Sequence, residues 1–186
     1  RWSKRQNRAI AGQDDFMPPL APFPWIDVAI ILVLIALNGV FAMSELAIVS
    51  ARKQRLEAMA RSGRSGARAA MALAADPGRF LSTVQIGITL IGILAGAYGG
   101  ATLAEPVAER LVRLGYPARA AGETGFILVI VVTTYVSLII GELVPKQFAL
   151  RNPEPIAVLI APPMIWLARV TAPIVWLLDR TSSAIF

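Results

Sequence analysis

The chain has 186 residues, 56% of them hydrophobic, and its 18 Lys and Arg outnumber 12 Asp and Glu for a formal net charge of +6. A composition this apolar is that of a membrane protein, so the basic excess points to a charged membrane face rather than to nucleic acid. Cys and His are both absent. That excludes disulfides, thiolate centres and imidazole relays, and leaves oxygen ligands suited to Mg²⁺, Ca²⁺, Mn²⁺ or a monovalent ion.

In chain order, residues 1–23 are polar, then Pro-rich, and are predicted to form a flexible arm. No short apolar stretch with a small-residue cleavage site precedes the first long apolar run, so no signal peptide is expected. The start at Arg1 suggests a fragment of a longer chain. Residues 25–50 form the first predicted span, with Trp25 as an interfacial anchor and Asn38, Gly39, Ser44 and Glu45 deeper in. Residues 51–79 carry Arg52, Lys53, Arg55, Arg61, Arg64, Arg68 and Arg79. They predict two short juxtamembrane helices, the first stopped at Gly63 or Gly66, the second ending before Asp76. By the positive-inside rule they are cytoplasmic. The cations of the arm argue weakly for the opposite orientation, and the denser 51–79 segment outweighs them. Residues 80–103 form a second, Gly-rich span. Gly92, Gly96 and Gly100 repeat at four-residue spacing, a stripe that suits intrachain packing or a dimer seam. A short amphipathic helix is expected within 104–124, on the outer side.

The third predicted span, 125–146, is the most informative. From Phe126 to Ile140 every residue is apolar or carries a hydroxyl, and Gly141, Glu142, Pro145 and Lys146 follow. Twenty-one helical residues rise about 31 Å, roughly one bilayer core. A carboxylate in such a span needs compensation. Gly141 and Pro145 on either side of it loosen the helix and free backbone carbonyls. A broken helix, free carbonyls and one acid make a cation site; the alternative is an acid facing water at the interfacial end. In residues 156–178, Pro162, Pro163, Arg169 and Pro173 are expected to cut the apolar run into pieces of about ten residues, which suits an interfacial belt better than a fourth span.

Depth along the three spans brings Ser44, Glu45, Gln85, Thr89 and Glu142 to one level, toward the cytoplasmic end. Two carboxylates with hydroxyl, amide and backbone oxygens suit a hard cation. The alternative is that each hydroxyl back-bonds its own helix and that Glu45 meets the cytosol or a nearby Arg. No nucleophile–base set is present, so an enzyme is not expected.

The segments NGVFAMSELAIVSARKQRL, DPGRFLSTVQIGITLIGILAGAYGG and GELVPKQFALRNPE, in this order, resemble the transmembrane domain of the CorC/CNNM family of magnesium and cobalt efflux proteins. The resemblance covers roughly residues 28–180. It implies an all-α membrane domain: a homodimer with three spans per subunit, an outer N-terminus, a cytoplasmic C-terminus in the cell membrane, and a helical belt over 153–186. It further implies cytosolic CBS modules that bind ATP and that this sequence lacks, and Mg²⁺ export, with Na⁺ as a coupling ion. By position it carries metal ligation to Ser44 and Glu142, with the carbonyl of Gly87 in the second-span motif. The sequence also departs from the pattern. Members of the magnesium type often read IGNNL where this chain has Ile88 and Thr89, and a first-span serine is Ala42 here. These losses are compatible with export of an organic cation such as a polyamine. A third reading is a non-transporting dimeric anchor for cytosolic domains.

Overall fold

The computed structural model describes residues 20–185. Most of the predicted arm, residues 1–19, lies outside the described residues. Seven helices and one π-helical turn make up the described chain, with no strand among the described residues. Helix α1 is Trp25–Ser50, α2 Lys53–Arg61, α3 Ser65–Ala75 and α4 Pro77–Arg113. Helix α5, Ala118–Leu138, passes through a π-helical turn, Ile139–Leu143, into α6, Val144–Arg151, and α7 is Pro153–Ile185. Among the described residues four runs are long and apolar enough to cross a membrane: α1, α4, α5 through α6, and Pro153–Ile174 of α7. The molecule is an all-α, multi-pass membrane bundle.

The boundaries follow local chemistry. Asp76 caps α4 by accepting from the Arg79 N–H at 3.5 Å, and Pro77 occupies the first turn, where its missing N–H is harmless. The α2–α3 and α4–α5 turns use Gly63 (φ 87°) and Gly115 (φ 91°), a region L side chains rarely adopt. The amphipathic segment expected as a separate outer helix is instead the continuation of α4 to Arg113. The helix runs on through Pro106 to the Gly115 turn, and a change of surface polarity does not end it.

Side-chain pairings give the directions. Asp27 meets Tyr98 and Phe41 lies beside Gly87, so α1 and α4 are antiparallel. Asn38 meets Gly141 and Glu45 meets Lys146, so α1 runs parallel to the α5–α6 helix. At one end Ile31 and Ile35 pack with Leu103 and Val129. At the other, Phe41, Ile48, Leu56, Phe80, Ala157 and Met164 join α1, α2, α4 and α7 in a larger core. Exposed apolar residues such as Val33, Ile127, Leu159 and Trp166 form the surface available to lipid.

Helix α7 is not cut at its prolines. Pro162 and Pro163 stand on its exposed face while Ala157, Ala161 and Met164 are buried. Proline at 162 leaves the Val158 carbonyl without its helical donor. That carbonyl lies directly against Gly66 of α3, where a Cβ would sit on the oxygen. A Cα–H of Gly66 faces it instead, a weak hydrogen bond that requires glycine. Glu154, only 4% exposed, fastens the same region. Its Oε1 accepts from the Arg52 N–H at 3.4 Å and its Oε2 pairs with Arg55 at 3.6 Å.

Gly66→Val is therefore expected to destabilise the fold by about 1–3 kcal/mol, because backbone must move. Gly122→Ala, on α5 with open space around it, is expected to be neutral or stabilising by up to about 1 kcal/mol. Thermal unfolding of the two variants in detergent, beside the parent, checks both.

Candidate functional site

The site begins with a missing donor. In an α-helix the Gly141 carbonyl would accept from residue 145, but that residue is Pro145 and has no N–H. The helix widens into the π-helical turn Ile139–Leu143. Asn38 of α1, 4% exposed, donates its Nδ2 to the Gly141 carbonyl at 3.1 Å. This close approach needs Gly39 beside it: a Cβ there would meet Pro145 Cγ at 3.0 Å and the Ile140 carbonyl at 3.2 Å. The Oδ1 of Asn38 is buried and has no hydrogen-bond partner. Turning the amide over would put that oxygen against the Gly141 carbonyl, so the network sets its orientation.

Seven residues along α1, about 10 Å further and on nearly the same face, is Glu45. Here Lys146 reaches between two carboxylates. Its Nζ donates to Glu142 Oε1 at 2.9 Å and stands 3.6 Å from Glu45 Oε2. The first contact is a charge-assisted hydrogen bond; the second is an ion pair too long to be one. Glu45 Oε2 is consequently covered yet lacks a hydrogen-bond donor. The three side chains are 25–35% exposed, so water screens each pair and much of the attraction is returned in desolvation.

The remaining candidates lie elsewhere around this level. Ser44 is fully buried and donates its hydroxyl to the Phe41 carbonyl at 2.7 Å, a back-bond within α1. Gly87 lies against the Phe41 ring, with no room for a Cβ. Gln85 and Thr89 are exposed on the α4 surface. Gly92 and Gly96 have nothing within 4 Å of a Cβ position, whereas Gly100 packs on Phe126. Among the described residues no three Asp or Glu side chains converge. A metal ion here would draw on Glu45 and Glu142 together with hydroxyl, amide or carbonyl oxygen.

Sequence reasoning did not assign Asn38, Lys146 or Glu154 to any site or clamp. A signal existed for two of them. Pro145 announces an unbonded carbonyl at Gly141, and Lys146 stands one helical turn beyond Glu142. Nothing local announces that Glu154 would be buried.

Residues 29–186 match the family model described as the cyclin M transmembrane N-terminal domain, CNNM. The chain belongs to this family. It is 51% identical over 160 residues to UPF0053 protein sll0260 of Synechocystis, covering 86% of this chain and 36% of that protein. It is 31% identical over 157 residues to UPF0053 protein YhdP of Bacillus subtilis, covering 84% and 35%. A protein of Haemophilus influenzae named polyamine export protein is 30% identical over 159 residues, covering 84% and 36%. The chain spans about a third of the length of these relatives. Family membership makes this a CNNM-type transmembrane domain.

In this CNNM domain Asn38 holds the π-helical turn. Asn38→Ala leaves the Gly141 carbonyl unpaired but also removes an orphan oxygen, so the expected loss of stability is modest, about 1–2 kcal/mol. Thermal unfolding in detergent measures it. No loss would mean that the amide bond contributes nothing net.

Proposed function

We propose that this domain exports Mg²⁺ through the site between α1 and the π-helical turn. The observation that carries the reading is the convergence of Glu45 and Glu142, from two different helices, on one positive charge. Both carboxylates are hard oxygen ligands, and the π-helical turn beside them adds backbone carbonyls. With few side-chain ligands the ion keeps part of its water, as Mg²⁺ prefers. Ser44 supplies a hydroxyl oxygen near this level, its proton already spent on Phe41. Gln85, Thr89 and the Gly87 carbonyl are secondary ligands whose recruitment requires α4 to turn or a second subunit to close on it.

In the same reading the protein is a homodimer, with the uncovered face of Gln85, Thr89, Gly92 and Gly96 as its seam. The bundle crosses the cell membrane three times, with the N-terminus outside, α2 and α3 on the cytoplasmic side and α7 lying as a belt at that face. Na⁺ moving inward drives export, and ATP acts through cytosolic CBS domains of the whole protein.

A second reading, export of a diamine, is favoured by one observation of its own. The charge that the two carboxylates hold is an ammonium, and a relative 30% identical is named a polyamine export protein. Ile88 and Thr89, in place of two amide side chains, point the same way.

Mg²⁺-dependent thermal stabilisation in detergent, the parent beside Glu142→Ala and with Ca²⁺ and putrescine as controls, separates the readings. At 100 times Kd, bound Mg²⁺ is expected to add about 2.7 kcal/mol, and Glu142→Ala to abolish the gain. Stabilisation by putrescine alone would transfer the site to the second reading. No effect of either would leave a non-transporting anchor.

A further inference from the structure

Lys146 places its ammonium where a transported cation would stand. The lysine lies four residues beyond Glu142, so those two partners belong to one continuous helix, while Glu45 arrives from α1. The contact is lopsided. Glu142 receives a hydrogen bond at 2.9 Å, whereas Glu45 Oε2, at 3.6 Å, is covered and has no donor. A clamp built to join two helices would satisfy both acids, and a planar guanidinium does that better than an ammonium. Lysine is a compact charge on a flexible stem, and with its side chain 30% exposed it has a path to water.

We propose that Lys146 is a tethered competitor: its ammonium fills the two-carboxylate site in the empty carrier and leaves when a cation binds. The proposal rests on the cation-transport reading above and adds how that site is regulated. Two carboxylates and one ammonium carry a net charge of −1. A divalent ion entering beside the lysine would face a like charge at contact distance. Exchanging with the lysine leaves the site neutral and gives Glu45 Oε2 a direct ligand contact in place of a 3.6 Å ion pair without a hydrogen bond. The returning ammonium then helps to expel the ion on the far side of the cycle. A carrier site must bind well enough to load and weakly enough to release, and a built-in competitor sets that balance without altering the ligands.

The test measures Mg²⁺ affinity of the purified protein in detergent by titration calorimetry, for the parent, Lys146→Gln and Lys146→Arg. The glutamine variant is expected to bind Mg²⁺ about tenfold more tightly, and to export it more slowly from proteoliposomes at a lower half-saturating concentration. Lys146→Arg, which keeps the charge, should show no such gain. In Lys146→Ala, added butylammonium should weaken Mg²⁺ binding, with no such effect on the parent. That result is beyond a structural clamp and does not depend on the glutamine variant folding. Lys146→Gln and Lys146→Ala binding Mg²⁺ no more tightly than the parent, with no butylammonium effect, would overturn the proposal. If Mg²⁺ binds none of the proteins, the same series with putrescine decides. Tighter putrescine binding to Lys146→Gln keeps the tether and sinks only the magnesium reading, and binding of neither cation overturns the tether as well.

Discussion

A carboxylate in an apolar helix must have its charge answered, and Glu142 is the residue around which this bundle is arranged. A charge at the centre of a span is unfavourable by about 2.5–3.5 kcal/mol on insertion scales, and more where no water or partner reaches it. Here the answer comes from Lys146 one turn away and is shared with Glu45 of α1. The shared contact goes with one register of α1 against α6. That register in turn puts Asn38 opposite Gly141 and Gly39 opposite Pro145.

Missing backbone donors are the second organising device, and the chain uses them twice. Pro145 deprives Gly141 of its donor, and a side-chain amide from another helix replaces it. Pro162 deprives Val158 of its donor, and the Cα–H of Gly66 takes the place. In both cases a glycine on the neighbouring helix makes room, Gly39 in the first and Gly66 in the second. Proline and glycine are therefore paired across helices that are distant in sequence. The juxtamembrane helices α2 and α3 are held to α7 by the second pairing and by buried Glu154.

Much of this was legible in the sequence, for physical reasons. Helix α1 ends where apolar residues give way to Arg52 and Lys53, and the α2–α3 turn falls at Gly63 because a positive φ is needed there. The loosening beside Glu142 followed from Gly141 and Pro145. What failed was the weight given to polarity and proline as breakers. Helix α4 runs on through Pro106 to Arg113, and α7 through three prolines, of which Pro162 and Pro163 stand on its exposed face. The co-location of Glu45 and Glu142 could be argued from depth, but the occupant between them could not. Lys146 reads as the end of a span until its rotamer is known. Likewise Gln85 and Thr89 share a face at four-residue spacing, and spacing alone does not say that the face points away from α1.

Fold and family make this a CNNM-type membrane domain, and the pairing of Glu45 and Glu142 on Lys146 lies between α1 and the π-helical turn. The central claim is that Glu45 and Glu142 act on a cation as a unit. A double-mutant cycle on cation affinity tests it most directly, using Glu45→Gln, Glu142→Gln and the double variant. The account predicts strong non-additivity, with the double variant scarcely weaker than the worse single one. Additive losses would show two acids acting independently and would contradict the account.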